Sequence, residues 1–217
     1  MTELDHFLKY FYIKKCITDK EKQECYKLRY SVFVEEFGYE SPNQFEIEKD
    51  LFDDRADHFA VIHRETGVFS ATVRFITSNN LDIPYCIGIF NNGNILDTFE
   101  VSRFSISPLF RRRLNEHISE TGSCIFSEED VRSHPLIILA LLSIIVRFGK
   151  INNYYSLHAI MQERLIRLLN IYGISWDIKL TPVEYHGLRV PCFATFDTFC
   201  CNMKPTLLNF IKNLTYN

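Results

Sequence analysis

The sequence predicts a mixed α/β (α+β) protein, in which one central sheet is flanked by helices. Short β-branched and aromatic runs alternate with segments of helical periodicity along all 217 residues. Hydrophobic residues make up 47% of the chain and charged residues 24%, a balance typical of a packed soluble protein. Neither an internal repeat nor a Gly/Ser/Pro-rich linker divides the chain, so we expect a single domain over residues 1–217.

The first half of the chain predicts four strands and one helix. An aromatic, β-branched run predicts a strand over residues 10–17. A helix follows, capped by Thr18 or Asp19 and ended by Gly38. Residues 39–57 are acidic and predict a long loop. A hairpin follows, with strands over 58–63 and 68–76 and a turn at residues 65–67. We expect a loop with at most one short strand over residues 78–96, and a fourth strand of alternating pattern over residues 99–106.

The second half predicts three helices and three strands. A buried apolar helix begins at Ser133 or His134 and runs to about residue 150, with Pro135 in its first turn. The remaining predicted elements are a strand over 154–160, a helix over 162–172 that ends at Gly173, strands over 174–178 and 190–196, and an amphipathic helix over 206–214.

Composition excludes several classes of function. The formal net charge of −3 provides no overall attraction to nucleic acid, so no nucleic-acid partner is expected. The seven cysteines are odd in number and none is spaced C-x-x-C, so neither a disulfide framework nor a metal site is expected. The N-terminus lacks a signal-peptide pattern, and the apolar run 136–146 is too short to span a bilayer. We therefore expect a cytoplasmic protein with no transmembrane segment.

The informative residues are charged side chains in four places. Sequence patterns for phosphate loops and for a G-x-S-x-G nucleophile are missing. An arginine inside an apolar strand needs a carboxylate partner, because a lone buried charge costs several kcal/mol. Fold-locking ion pairs are therefore one interpretation of these residues, and a functional site is the other. The set comprises Arg29 with Phe33, then Glu48, Asp50 and Asp53, then Arg74, and finally Glu100 with Arg103.

This order of residues resembles the acyl-homoserine-lactone synthases, which belong to the wider GNAT fold of acyltransferases. It resembles two relatives more: the acyltransferases associated with the PEP-CTERM/exosortase system, and the long-chain N-acyl amino acid synthases. The resemblance covers about residues 24–195 and rests on several weak motifs in the right order. These are the charged set above, Glu100-Val-Ser-Arg-Phe-Ser-Ile-Ser107, Phe110-Arg-Arg-Arg113, Met161-Gln-x-x-Leu-x-Arg-Leu-Leu169, Gly173-Ile174 and Val183-Glu-Tyr-His-Gly-x-Arg189.

The resemblance implies an N-acyltransferase and a role for each residue. Glu100, at the head of the central strand, is the candidate general base, and Arg103 shares the catalytic duty if a bulge turns it to the same side. A free backbone N–H on that strand would stabilise the oxyanion. His186 is a second candidate base, with a capping or surface histidine as the other interpretation. Substrate binding is assigned to Arg29, Phe33, Arg74, Ser102 and Phe104, and Glu48, Asp50 and Asp53 form an acidic cluster.

The sequence departs from these families at two places that bear on the identity of the substrates. The homoserine-lactone synthases carry a tryptophan, where S-adenosylmethionine docks, at the position of Tyr39. Coenzyme-A-dependent GNAT enzymes carry a glycine-rich turn after the central strand, whereas residues 108–114 contain no glycine. This favours an acyl-phosphopantetheine donor on an acyl carrier protein over acyl-CoA, with no bound cofactor. Arg111, Arg112 and Arg113 are expected to meet the phosphate and the carrier protein, or else to form a solvated basic turn.

Three functions remain open from the sequence. The first moves a fatty acyl group from the carrier protein to the amine of an amino acid, with the acyl tail between the sheet and the helices. The second is an acyl-homoserine-lactone synthase. The third is a GNAT-like module that binds an acylated carrier protein without turnover.

Overall fold

The computed structural model describes residues 2–77, 85–90, 97–111 and 133–215. The described residues form one sheet with the strand order β1-β2-β3-β4-β5-β8-β6, and β7 pairs with β8 at its side. A mixed sheet flanked by helices confirms the predicted fold class. The strands are β1 (Phe11–Cys16), β2 (Asp57–His63), β3 (Phe69–Thr77), β4 (Thr98–Ile106), β5 (Ser156–Met161), β6 (Ile178–Lys179), β7 (Val183–Glu184) and β8 (Leu188–Thr195).

Helices cover both faces of this sheet. Helix α2 contacts β2, β3 and β4 from one side, where the short α3 contacts β4, β5 and β8. Helix α4 contacts β2, β3 and β4 from the other side. The helices are α1 (Glu3–Tyr10), α2 (Asp19–Tyr30), which continues as a π-helical segment (Ser31–Glu36), α3 (Tyr85–Ile89), α4 (His134–Ile151), α5 (Glu163–Ile171), α6 (Phe196–Cys200) and α7 (Pro205–Asn213). Single 3₁₀ turns lie at Asp53–Arg55 and Pro108–Phe110.

The alternating side chains of β2 show how the sequence separates the two faces. Phe59 and Val61 join the large core around α4, whereas Ala60 and Ile62 pack with Cys25 under α2. Alternation in a strand places successive side chains on opposite faces, so both faces of β2 are covered. The apolar sequence of β2 follows from this double burial.

Helix α4 is the centre of the main core. It is 18 residues long and apolar enough to cross a membrane by length and composition, but 67% of it is buried inside the domain. Aromatic rings pack beneath it: Phe148 lies 4.5 Å from Phe75 and 5.1 Å from Phe99, measured between ring centroids. Such ring pairs add to the apolar burial that stabilises the domain. These contacts agree with the prediction of a buried core helix.

The sheet opens at its centre, where two neighbouring strands separate. Strands β4 and β5 run parallel and pair from Thr98↔Ser156 to Val101↔Ala159. Beyond this point β4 continues beside β3, while β5 continues beside β8 up to Met161↔Val190. The two halves of the sheet therefore diverge after Val101 and leave a cleft between β4 and β5.

A bulge lies in β4 at the edge of this cleft. The register between β3 and β4 passes from Thr72↔Ser105 to Arg74↔Ser102, so β4 has one residue more than β3 here. Arg103 adopts a left-handed backbone conformation with φ of 52°. An extra residue of this kind changes the alternation of side chains along the strand. The bulge that the sequence analysis required for Arg103 is therefore present.

Three local predictions were incomplete or wrong. Helix α1 was not predicted, although Thr2 and Asp5 form a capping box and Leu4 and Phe7 are buried. The predicted strand over 174–178 is wrong except for Ile178, where the two-residue β6 begins. The two-residue β7 was also missed, because strands this short carry no readable alternation.

Gly173 and Gly67 provide a matched test of backbone packing. Both have positive φ, 82° and 70° respectively, but only at Gly173 would an added Cβ atom lie 1.8 Å from a backbone oxygen, that of Asn202. We expect G67A to cost about 1 kcal/mol, the penalty for a left-handed alanine. We expect G173A to cost about 1–3 kcal/mol more, because the 202–203 backbone must move. Urea unfolding of both variants checks this, and equal losses would contradict it.

Candidate active site

Three arginines and three carboxylates form one buried network behind the bulge. Arg29, on the last turn of α2, binds Asp53 through two hydrogen bonds of 2.7 and 2.9 Å and also contacts Glu48. Arg74, in the middle of β3, contacts Asp50 at 2.6 Å and Asp53 at 2.8 Å. The carboxylate partner that an arginine in an apolar strand requires is therefore supplied by the loop after α2.

Arg103 joins this network from the bulge. Its Nε and Nη2 atoms donate to Glu48 at 3.0 and 2.8 Å, and Nη2 also donates to Asp50 at 2.9 Å. The three positive and three negative charges balance within the network. Each acid contacts two of the three arginines, so removal of any one side chain leaves an excess charge.

The pKa values of the acids reflect this pairing. Burial alone would raise the pKa of Glu48, but the charges of Arg29 and Arg103 lower it to about 2. Burial likewise opposes ionisation of Asp53, and its hydrogen bonds and proximity to Arg29, with the charge of Arg74, hold its pKa below the ordinary value. Both acids are therefore ionised at neutral pH and act as permanent partners of the arginines.

The predicted substrate contacts of Arg29 and Arg74 need correction. Arg29 is fully buried and Arg74 is 2% exposed, and all the hydrogen bonds given above go to protein groups. Neither side chain lines the cavity described next. These two arginines therefore hold the loop, β3 and β4 together, which is the fold-locking interpretation.

A cavity of about 470 Å³ occupies the cleft between β4 and β5. Its size lies within the usual range for small-molecule sites. One end is apolar and lies under α4 and α5, and the other end carries polar side chains. The apolar lining includes Ile138, Leu142, Ile145, Leu157, Leu168, Leu169, Trp176 and Phe199. Of the predicted site residues, Phe33, Glu48, Glu100, Ser102, Arg103, Phe104, Arg111 and His186 line the same cavity.

Glu100 differs from the network acids in having no ion pair in the part of the chain that the structure describes. Its side chain is buried on β4, and its Oε2 accepts a hydrogen bond of 2.9 Å from the backbone N–H of Cys86. Burial raises the pKa of Glu100 to about 7, although this hydrogen bond and the charges of Arg74 and Arg103 oppose the rise. A carboxyl group that titrates near neutrality can accept and return a proton.

His186 and Tyr185 lie on the tight turn between β7 and β8, at the polar end of the cavity. His186 has a φ of 50°, and its Nδ1 lies 3.0 Å from Glu40 Oε1. Tyr185 forms a side-chain hydrogen bond with Arg103, and burial raises its pKa. The turn therefore connects the bulge of β4 to the segment after the π-helical turn.

Arg111 is engaged within the protein, contrary to the expected docking role. Its Nη2 pairs with Glu36, its Nε donates to the Ile106 carbonyl at 2.7 Å, and its guanidinium lies 5.5 Å from the centre of the Phe37 ring. Arg111 therefore closes the cavity wall and is not a free basic side chain. Arg112 and Arg113, the other two residues of this prediction, lie outside the described residues. The same is true of Cys124, one of the seven cysteines of the sequence.

Metal binding has no support within the described residues. No group of three or more His, Cys, Asp or Glu side chains is arranged there to hold a metal ion. The acids that lie close together are occupied by arginines.

Residues 28–118 match the acetyltransferase (GNAT) domain family. This match covers 91 of the 217 residues and indicates a GNAT-type acyltransferase. No curated protein matches the sequence significantly. The matched residues include β2, β3 and β4 with its bulge.

Three solved structures of low sequence identity share the fold over nearly the whole chain. TofI, solved with an inhibitor and MTA, is 16% identical with a TM-score of 0.64, covering 91% of this chain and 98% of that one. BjaI, a CoA-dependent acyl-homoserine lactone synthase with SAM and isopentyl-CoA, is 13% identical with a TM-score of 0.62, covering 96% and 93%. FeeM, an N-acyl amino acid synthase from uncultured soil microbes, is 10% identical with a TM-score of 0.61, covering 94% and 98%.

The sequence analysis missed several residues of the cavity. Gln162, Arg164 and Arg189 lie at its polar end, and Trp176 and Phe199 lie in its apolar lining. The signal was available for Gln162 and Arg189, which are specified residues of the two C-terminal motifs that carried the resemblance, whereas Arg164 stands at an unspecified position of the first motif. Their direction toward the cleft depends on the pairing of β5 with β8, which the sequence does not reveal.

Arg74→Ala tests the network. The change leaves Asp50 and Asp53 with one arginine fewer in a buried site, so we expect a loss of about 3–5 kcal/mol. Thermal and urea unfolding measure this loss. Arg167→Ala is the control, because its pair with Glu163 is exposed and should contribute less than about 1 kcal/mol. Equal melting temperatures for R74A and wild type would show that the network does not stabilise the fold.

Proposed function

We propose that the protein is an N-acyltransferase that moves a fatty acyl group from a thioester onto the amine of an amino acid. The observation that carries the proposal is a single cavity with two chemically different ends. Its apolar end suits an acyl chain, and its polar end contains Glu100, whose pKa lies at about 7. A thioester placed at the cleft between β4 and β5 would lie between the two.

The reaction requires that the amine lose a proton and that the carbonyl oxygen be stabilised. Glu100, when ionised, would take the proton from the acceptor amine as its nitrogen attacks the thioester carbonyl. Backbone N–H groups of β4 beyond Val101, where β5 has separated, would donate to the oxyanion. Collapse of the tetrahedral intermediate would form the amide and release the donor thiol, which takes up one proton.

Arg103 and His186 would have supporting roles. Arg103 is tied to Glu48 and Asp50, so we assign it to holding the bulge and to the positive potential near Glu100. His186 already contacts Glu40, and we place it at the entrance for the acceptor. Ser102 accepts a hydrogen bond of 3.1 Å from Arg74 and would connect the network to the cavity wall.

An acyl carrier protein is our preferred donor, because residues 108–114 lack glycine and a carrier protein presents one phosphate where CoA presents more. Use of an acyl carrier protein as the donor would be consistent with the cytoplasmic location that we expect from the sequence. Arg112 and Arg113 remain the proposed contacts for that partner.

Synthesis of an acyl-homoserine lactone is the second candidate. BjaI, which has the same fold, is an acyl-homoserine lactone synthase that binds SAM. Tyr39 occupies the position where the resemblance places a tryptophan in those enzymes. Mass spectrometry of lipids from cells that express the protein separates the candidates. We expect N-acyl amino acids, and a spectrum with only acyl-homoserine lactones would overturn the proposal.

Glu100→Gln tests the catalytic base. We expect the variant to fold and to lose about 10²–10⁴-fold in acyl transfer, the usual contribution of a general base. In the wild type, kcat/KM should rise with pH through about 7, because only the ionised form of Glu100 accepts a proton. This rise should be missing in E100Q and retained in the surface control Glu163→Gln. An E100Q enzyme with the wild-type pH profile would exclude Glu100 as the base.

A further inference from the structure

The polar end of the cavity contains four arginines in two different states. Arg103 and Arg111 are paired with acids. Arg164, on the first turn of α5, and Arg189, on β8, have no carboxylate partner within the described ranges of the chain, yet both line the same cavity. The unneutralised positive charge of the cavity wall therefore comes from these two side chains.

A pair of aromatic rings holds these two guanidinium groups in place. The rings of Phe37 and Tyr39 stack with their centroids 5.2 Å apart. Arg164 lies 5.4 Å from the centre of the Phe37 ring, and Arg189 lies 4.7 Å from that of Tyr39. Both distances are within the range of cation–π contact, which positions a guanidinium group through its face and not through its N–H edge. The Nη1 atom of Arg189 also donates a long hydrogen bond of 3.5 Å to the Leu188 carbonyl.

The rings are themselves fixed from the other side of the cleft. The Tyr39 hydroxyl accepts a hydrogen bond of 2.7 Å from Nε2 of Gln162, the residue before α5. On the neighbouring turn, His186 contacts Glu40, so the acid next to Tyr39 in the sequence already has a partner. The Tyr39 ring is therefore positioned by a contact that does not neutralise the charge of either arginine.

We propose that Arg164 and Arg189, held on the stacked rings of Phe37 and Tyr39, form a binding site for an anionic oxygen group of a substrate, and that this group is the carboxylate of the acceptor amino acid. Guanidinium groups match the planar, bidentate geometry of a carboxylate. A phosphate of the donor has the same chemistry and is the competing source. The inference rests on the proposed function for the identity of the acceptor.

The position of Arg189 favours the acceptor over the donor. Arg189 directly precedes Val190, which pairs with Met161 on β5, and it lies on β8 just after the turn whose Tyr185 contacts Arg103 on the bulge. An amino acid with its amine at Glu100 and its carboxylate toward Arg189 would lie across the cleft, beside the acyl chain and not in line with it.

The test is equilibrium binding, which needs no turnover. Trp176, the only tryptophan of the chain, lines the apolar end, so its fluorescence reports acyl ligands. The probes are N-dodecanoylglycine and its uncharged amide. Because a charged hydrogen bond adds roughly 1.5–3 kcal/mol, we expect the wild type to bind the carboxylate about tenfold or more tightly than the amide.

Variants assign that preference to the two arginines. We expect Arg164→Gln and Arg189→Gln each to reduce it and the double variant to abolish it, with binding of the amide unchanged. Arg167→Gln, on the same helix but outside the cavity, should retain the full preference. A wild type that binds acid and amide equally, or a double variant that still prefers the acid, would overturn the proposal.

A second pair of probes identifies the source of the anion. Dodecanoyl-pantetheine and dodecanoyl-phosphopantetheine differ only in the phosphate. If the double variant loses discrimination of this pair and not of the first, the site serves the donor and the carboxylate assignment is wrong. If the wild type binds no acyl probe at all, the acyl cavity of the proposed function fails. If the wild type binds N-dodecanoylglycine and its amide with equal affinity, the proposed anion site is wrong, but the acyl cavity of the proposed function is retained.

Discussion

The rest of the structure depends on the buried ion network of Arg29, Arg74 and Arg103 with the acids of the loop after α2. Buried charges are tolerated only when they are paired and hydrogen-bonded, so the network fixes four chain segments to one another: α2, the loop, β3 and β4. Asp53 contacts both Arg29 and Arg74, and its side chain is fully buried. The backbone carbonyl of Asp53 also lies 3.1 Å from His58 Nε2, which attaches the loop to β2.

The network also explains how two carboxylates on the same cavity wall acquire opposite properties. Glu48 contacts two arginines, and its pKa falls to about 2. Glu100 accepts hydrogen bonds from backbone N–H groups and has no ion pair within the described residues, and burial raises its pKa to about 7. Groups whose environments separate their pKa values in this way divide into structural and proton-transferring roles. The arginines are paired with the loop acids and not with Glu100. The pKa of Glu100 therefore stays near neutral pH, where a carboxylate can act as a general base.

Much of the fold was predictable because it depends on local pattern. Periodicity gave the long strands and α4, and the cost of a lone buried charge required a carboxylate for Arg74. The same reasoning could not show that the side chains of Arg29 and Arg74 lie behind the cavity wall and not in the cavity. The prediction that these two arginines bind substrate was therefore wrong. The direction of Arg103 depends on one extra residue in β4, and that of Arg189 on a contact with Tyr39 from a distant segment. Neither leaves a local signal.

The contact between Tyr39 and Arg189 also bears on the choice between the two candidate products. The resemblance places S-adenosylmethionine, a sulfonium cation, on a tryptophan at this position. The ring of Tyr39 already has the Arg189 guanidinium 4.7 Å from its centre. A sulfonium group on this ring would meet like charge from Arg189, and from Arg164 beside Phe37, and an acceptor amino acid without a sulfonium would not meet that repulsion. For the proposed function, these two arginines would therefore disfavour a sulfonium group at this ring, which supports our preference for an N-acyl amino acid as the product.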